Sequence, residues 1–175
     1  ILPFATDDFY LGELSLVFIY AIAGIGLMLL VGYTGLVSLG HAAFLAIGAY
    51  AHGYLLNQGV PFPVSLASAT ALTAFVGAIV GIPALRMIGI YLAVAMLAFA
   101  IVIEHVLSHW ESVTGGYRGM QVPEAEFLGM SLMSSHTFYY LCLGVLVASL
   151  ITALNLLRAP TGRAFIAIRD SEISA

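Results

Sequence analysis

The amino-acid sequence predicts an all-α protein, a polytopic transmembrane helical bundle with about five spans. Hydrophobic residues make up 62% of the 175 residues and charged residues only 8%, whereas a soluble domain carries about 25% charged residues. No Asp, Glu, Lys or Arg occurs in the 72 residues from Leu14 to Leu85. A helix rises about 1.5 Å per residue and a bilayer core is about 30 Å thick, so this stretch suits three crossings of about 20 residues. The apolar runs are continuous rather than alternating, which favours helices over the strands of a membrane barrel.

Turn signals separate five apolar segments along the chain. A Gly-Tyr-Thr-Gly sequence beginning at Gly32 ends the first segment, and an Asn-Gln-Gly-Val-Pro turn beginning at Asn57 ends the second. Pro83 and Arg86 interrupt the third segment, and a polar, glycine-containing stretch from His109 to His136 precedes the last. The predicted spans are Leu14–Val31, Ser38–Leu56, Pro63–Ile82, Ile88–Leu107 and Thr137–Leu157.

Arginines near the ends of the spans predict the orientation of the chain. With five crossings, one side carries four arginines and the other side carries only Arg118; the four are Arg86, Arg158, Arg163 and Arg169. Cytoplasmic loops are enriched in Lys and Arg, so we expect the N-terminus outside and the C-terminal segment in the cytoplasm. Because the sequence begins with Ile rather than Met, we also expect it to be a piece of a longer protein.

Composition argues against several function classes. The chain has no lysine, so a GxxxxGK[ST] phosphate loop cannot occur and nucleotide-driven work must come from another polypeptide. The small net charge of -4 lies at both ends of the chain, which argues against nucleic-acid binding. His105 and His109 stand four residues apart, and we interpret them as an interfacial helix end rather than a metal site. No metal ligands and no catalytic residues are predicted.

The segment from Gly32 to His41 contains three glycines where continuous helix would be expected. Backbone is left irregular in a membrane only where protein or water satisfies it. Ser38 is a plausible N-cap, which places His41 in the first turn of the second span. Exposed N–H groups and the positive dipole end there can hold a carboxylate, as at the broken helices of transporters. An ordinary interhelical turn is the alternative; the candidate substrate-pathway residues are Gly32, Gly35, Ser38, Gly40 and His41.

The loop from His109 to Gly119 is the second candidate region. Gly115 and Gly116 allow positive φ and a tight fold, while Trp110 suits a membrane interface. The loop is either an external gate or docking surface for a delivering protein, or a structural cap over the helices. Its candidate residues are Trp110, Thr114, Gly115, Gly116 and Gly119.

The C-terminal segment, residues 160–175, is the third candidate region. Pro160 and Gly162 are expected to end the last span, and a short helix can follow from Arg163. Its apolar face is interrupted by charged residues, which fits a protein partner better than a lipid surface; a solvated linker is the alternative. The candidate contact residues are Gly162, Arg163, Ile168, Arg169, Asp170 and Glu172.

Taken together, these segments resemble the LivM-type permease subunits of branched-chain amino acid ABC transporters. The resemblance extends in order and spacing over nearly the whole chain. The matching stretches are GYTGLVSLGHAAFLAIGAY (Gly32–Tyr50), IPALRMIGIYLAVAMLAFA (Ile82–Ala100), HWESVTGGYRG (His109–Gly119) and TGRAFIAIRDSEISA (Thr161–Ala175).

The resemblance implies that residues 1–175 are the N-terminal part of a permease transmembrane domain in a bacterial inner membrane. It implies that residues 160–175 are an incomplete cytoplasmic coupling segment that contacts an ATPase, and that the family's later helices are missing. The implied partners are a second related permease, two cytoplasmic ATP-binding subunits, a periplasmic substrate-binding protein and the lipid bilayer. The chain itself would be no enzyme and would hold no cofactor, with ATP and Mg on the partner ATPase.

The expected function is therefore that of a permease subunit in an ATP-driven importer of branched-chain or similar neutral amino acids. Three alternatives remain open on the sequence. They are a urea or amide permease of the same group, a channel or secondary transporter that works without ATP, and a structural membrane subunit without a pore.

Overall fold

The computed structural model divides the chain into two compact units, residues 1–36 with 130–175 and residues 37–129. Each unit is described by itself below. The structure describes residues 8–35, 39–84, 86–87, 89–123, 126–127, 130–131, 134–160 and 162.

The first unit is a pair of long helices. Helix α1 (Asp8–Leu27) continues into a π-helical segment (Met28–Tyr33). Its partner α6 (Ser135–Arg158) follows strand β2 (Met130–Ser131), and the Ser134 hydroxyl caps it. Helix α1 includes the six residues before the predicted start at Leu14. Its first turn contains Asp8, which the positive end of the helix dipole favours.

Helices α1 and α6 run parallel to each other. The Nε2 atom of His136 lies 3.9 Å from Oδ1 of Asp8, so the first turns of both helices are neighbours. Further along, the rings of Phe18 and Tyr139 lie 5.3 Å apart. In α1, Ser15 is 1% exposed, and its hydroxyl donates to the Leu11 carbonyl at 2.8 Å. The polar group is thereby satisfied inside the packed face.

The second unit contains three long helices and a short cap. The long helices are α2 (His41–Asn57), α3 (Phe62–Ala84) and α4 (Ile90–His109). The cap consists of the single turn α5 (Glu111–Thr114) and a 3₁₀ turn (Gly116–Arg118), and strand β1 (Glu126–Phe127) comes later.

Helices α2 and α3 form an antiparallel hairpin about the turn at residues 58–61. Ser65 Oγ lies 2.9 Å from His52 Nδ1 near the turn. Farther from the turn, a Cβ added at Gly48 would lie 3.2 Å from Thr73 Oγ1. The absent side chain therefore lets the two helices approach closely, as small residues do in membrane bundles.

Helices α2 and α4 run parallel. A Cβ at Gly40 would lie only 3.1 Å from the carbonyl oxygen of Met96, and one turn later the rings of Phe44 and Phe99 lie 5.2 Å apart. The order of the three helices in this unit is therefore up, down, up, as expected for consecutive crossings.

These directions bear on the number of membrane crossings. Within the residues that the structure describes, four helices are long and apolar enough to span a membrane: α1 with its π-helical extension, α3, α4 and α6. Helix α2 has 17 residues, about 25 Å at 1.5 Å per residue. Because α1 and α6 are parallel, the chain must cross the membrane an odd number of times between them. Helices α3 and α4 supply two of these crossings, so α2 must be the third. This agrees with the predicted bundle of about five spans.

Candidate functional site

A short cap covers one end of the second unit, where α2 and α4 end and α3 begins. Trp110 closes the C-terminus of α4 and at the same time precedes α5. Three glycines of the cap have positive φ: 75° at Gly115, 60° at Gly116 and 75° at Gly119. The predicted positive φ at the adjacent glycines is therefore confirmed.

A side chain at either of two of these glycines would also meet close neighbours. A Cβ at Gly115 would lie 2.4 Å from the carbonyl oxygen of Gly119, a distance that backbone atoms do not tolerate. A Cβ at Gly116 would lie 3.0 Å from Glu111 Cγ and 3.2 Å from the Ser108 carbonyl oxygen. The Gly-Gly pair thus fixes how tightly the cap folds onto the end of α4.

Thr114 joins the cap to α4. Its side chain is 1% exposed, and its hydroxyl lies 2.5 Å from the Leu107 carbonyl oxygen and 2.8 Å from that of Trp110. The same oxygen accepts a hydrogen bond from the Gly116 N–H at 3.2 Å. One buried hydroxyl therefore connects the last turn of α4, α5 and the glycine turn.

The two histidines at the end of α4 stack at its exposed surface. Their rings lie 4.0 Å apart, and His109 also meets the ring of Tyr117 at 5.3 Å. His109 Nδ1 lies 2.9 Å from the His105 carbonyl oxygen, to which it donates as the Nδ1–H form. Within the described residues, no group of three or more His, Cys, Asp or Glu side chains is placed to hold a metal ion.

A cavity of about 420 Å³ lies beneath the cap. Helices α2, α3, α4 and α5 contribute to its wall, which is almost entirely apolar. Sequence reasoning missed it, because its lining comes from four separate elements whose apolar residues look like ordinary membrane-facing ones. Lining residues include Tyr50, Tyr54, Leu72, Val106, Trp110 and Thr114.

A smaller crevice of about 280 Å³ lies between α2 and α4. Small side chains such as Ala46 and Ala100 leave the space open, and Glu104 and Ser108 supply polar groups at its edge. Three residues, Tyr50, Ile103 and Leu107, line both the crevice and the larger cavity.

The predicted substrate-pathway residues fall in two different units. In the first unit, Gly32 lies in the π-helical segment, the Thr34 hydroxyl donates to the Leu30 carbonyl, and Gly35 has a φ of 73°. Regular helix therefore ends here, as the glycines predicted.

The second unit holds the rest of this segment. Ser38 lies outside the described residues, and the prediction that it caps α2 is wrong, because Gly40 occupies the N-cap position. Gly40 has no side chain with which to cap, and a Cβ there would lie 3.1 Å from the Met96 carbonyl oxygen, a tight contact. His41 is the first residue of α2 and is half-buried, so its predicted place in the first turn is confirmed.

Of the predicted contact residues in the C-terminal segment, the structure describes Gly162. Helix α6 ends at Arg158, and the Gly162 N–H donates to the Ala159 carbonyl at 3.0 Å. A Cβ at Gly162 would lie 2.1 Å from the Leu157 carbonyl oxygen, so the backbone at Gly162 lies too close to the end of α6 to accommodate a side chain. The other candidates lie outside the described residues: Arg163, Ile168, Arg169, Asp170 and Glu172.

His52 and Ser65 form a polar contact that sequence reasoning missed. Ser65 is 0% exposed, and its hydroxyl lies 2.9 Å from both His52 Nδ1 and the Phe62 carbonyl oxygen. If the hydroxyl donates to the carbonyl, it accepts from an Nδ1–H of His52. The sequence could have indicated this contact, because His52 and Ser65 stand at nearly equal distances from the Asn57–Pro61 turn. An antiparallel hairpin about that turn places the two residues opposite each other.

Comparisons with known proteins agree with the membrane architecture. A family model described as branched-chain amino acid transport system, permease component, matches residues 9–175. Two relatives are each 33% identical over 198 aligned residues, which cover 98% of this chain and 46% of the relative. They are the high-affinity branched-chain amino acid transport system permease proteins LivM of Salmonella typhimurium and Escherichia coli. The chain thus spans about half the length of the curated relatives it matches, and no solved structure matches it.

Proposed function

The chain belongs to the family of branched-chain amino acid transport system permease components, and we propose that it is part of a substrate-translocating subunit of an ATP-driven amino-acid importer. The observation that carries this proposal is the match of the family across residues 9–175. The bundle of apolar helices supports it, as do the named relatives, which are permease proteins of branched-chain amino acid transport. The preferred substrates are leucine, isoleucine, valine and similar neutral amino acids.

Residues 1–175 would form the N-terminal part of the transmembrane domain. Substrate would arrive at the cap formed by Trp110, Thr114 and the glycines that follow. It would then pass near the irregular segments around Gly35 and Gly40. Interrupted helices suit this role, because their free backbone groups can bind a substrate carboxylate.

Energy would enter through residues 160–175 on the cytoplasmic side. The absence of lysine from these 175 residues excludes a phosphate loop in them, so ATP and Mg would bind to separate ATPase subunits. The mixed polar and apolar sequence of this segment suits a groove on such a subunit. A second permease and a periplasmic substrate-binding protein would complete the assembly.

We place the N-terminus outside the bacterial inner membrane and residues 160–175 in the cytoplasm. In the first unit, Asp8 and Arg158 lie at opposite ends of the parallel pair of helices. In the second unit, Arg86 follows the end of α3, whereas Arg118 lies in the cap at the start of that helix. The excess of arginine on the proposed cytoplasmic side follows the positive-inside rule.

Coupling variants of the full-length importer test the proposal. Arg163→Ala and Asp170→Asn should reduce ATP-driven leucine uptake at least tenfold while the complex still assembles. Thr152→Val is the control, because that hydroxyl donates within its own helix at 2.7 Å and should leave uptake unchanged. Normal uptake by both coupling variants would refute the proposal. Competition of leucine uptake by isoleucine but not by urea would separate the amino-acid importer from the urea permease.

A further inference from the structure

Glu104 is an isolated charge in the second half of α4. No other charged residue occurs between Arg86 and Glu111, and Glu104 lies five residues before the end of α4 at His109. At 1.5 Å per residue this is about 7.5 Å inside the helix end. Ionisable side chains within membrane helices are costly and usually face a cavity or a partner.

The carboxylate lies at a crevice that has few other polar groups. Glu104 lines the crevice between α2 and α4 together with Ser108 and Tyr50, while alanines make up much of the remaining wall. Among the described residues, no cationic side chain lies within ion-pair distance of Glu104. Glu104 is exposed in this unit, so a ligand can reach its carboxylate from the crevice.

The apolar cavity neighbours the crevice that Glu104 lines. Tyr50, Ile103 and Leu107 line both spaces, so the two spaces share part of their walls. The larger space measures about 420 Å³, within the range of about 300–1,000 Å³ found for small-molecule sites. A negative group beside an apolar space is complementary to a ligand with an ammonium group at one end and a hydrocarbon group at the other.

We propose that the crevice and the cavity together form a binding site for an aliphatic ammonium ligand within the permease. The Glu104 carboxylate binds the ammonium group, and the cavity beneath the cap takes the hydrocarbon side chain. Hydroxyl groups of Tyr50 and Ser108 can donate to a carboxylate of the same ligand. The choice of a branched-chain amino acid as that ligand rests on the proposed function, whereas the recognition of an ammonium group does not.

The test uses equilibrium binding of tritiated L-leucine to the full-length permease assembled with its partner permease and ATP-binding subunits in nanodiscs, without the binding protein. Glu104→Gln should weaken binding about tenfold or more, since a hydrogen bond to a charged group is usually worth this much. The matched control is Glu13→Gln, because Glu13 lies five residues from the start of α1 and is also exposed. The control should bind leucine like the unaltered complex.

Two leucine analogues separate the groups that are recognised. Isoamylamine, which keeps the ammonium group and lacks the carboxylate, should compete with leucine, and Glu104→Gln should abolish this competition. 4-Methylpentanoate, which lacks the ammonium group, should compete at least tenfold more weakly than isoamylamine. Stronger competition by 4-methylpentanoate than by isoamylamine would overturn the proposal.

A second variant tests the cavity without touching the carboxylate. Leu72 lines the cavity and is 46% exposed, so Leu72→Trp fills space with little risk to folding. It should reduce binding of leucine several-fold more than binding of alanine. If the Glu104→Gln variant and the Leu72→Trp variant each bind leucine as tightly as the unaltered complex, the site is refuted, even if ATP-driven uptake of leucine is observed. Conversely, Glu104-dependent binding of isoamylamine without amino-acid uptake would uphold the site and refute the proposed function.

Discussion

Replacement of Gly115 by alanine is expected to open the cap on the second unit. The φ of 75° at this residue costs an L-residue about 1–2 kcal/mol. The new Cβ would lie 2.4 Å from the Gly119 carbonyl oxygen, and relief of such overpacking typically costs about 1–3 kcal/mol. The sum is about 2–5 kcal/mol, which favours local opening of the cap by about 30-fold at its lower limit.

Amide hydrogen exchange of the intact complex measures this opening. The Gly115 and Gly119 N–H groups donate within the cap at 3.1 Å each, so their exchange should accelerate at least about 30-fold if exchange follows local opening. Gly81→Ala is the control, because Gly81 is helical and no atom lies within 4 Å of the added Cβ. In Gly81→Ala, the amides of the cap should exchange at an unchanged rate, and the amides around residue 81 should exchange at an unchanged or slower rate, since alanine favours a helix. Unaltered exchange across residues 110–119 in Gly115→Ala would refute the structural role assigned to this glycine.

Two further substitutions test the contacts around the proposed path. Thr114→Val removes a buried hydroxyl and should destabilise the complex by about 1–3 kcal/mol, measured as a lower midpoint of denaturation in detergent. The control is Thr70→Val, whose hydroxyl is exposed and which should change the stability by less than about 0.5 kcal/mol. Equal midpoints for the two variants would contradict the structural role assigned to Thr114. Gly40→Leu should separate α2 from α4, because its Cβ would lie 3.1 Å from the Met96 carbonyl oxygen, and it should lower leucine uptake at least tenfold. The control is Gly81→Leu, which places the same side chain at an open position and should leave uptake unchanged. Similar uptake by the two variants would show that the close packing at Gly40 is dispensable.

The long helices and most of their ends were predictable from the sequence. Uninterrupted apolar runs of about 20 residues have few alternatives in a membrane, so the spans agree with α2, α3, α4 and α6 to within a few residues. The start of α1 was less predictable, because the acidic residues Asp8 and Glu13 indicate a segment outside the span. A single acidic residue in a first turn is favoured rather than excluded by the helix dipole.

The candidate site was predictable only where one residue type determines the backbone. Gly115 and Gly116 adopt positive φ, as their sequence indicated. The N-cap at Gly40 was not predicted, because a side-chain cap at Ser38 was expected, whereas Gly40 caps without a side-chain hydrogen bond and lies close to Met96 of another helix. The cavity beneath the cap also depends on side chains brought together from distant segments, and no local pattern encodes that.

The most direct measurement is the uptake of tritiated leucine by proteoliposomes that contain the full-length permease with its partner permease, ATP-binding subunits and binding protein. With ATP and the ATP-binding subunits inside the vesicles and the binding protein outside, leucine should accumulate inside the vesicles only when both ATP and the binding protein are present. A non-hydrolysable ATP analogue should give no accumulation against a gradient. Equal leucine uptake with ATP, with the analogue and without nucleotide would contradict the assignment of this chain to an ATP-driven importer.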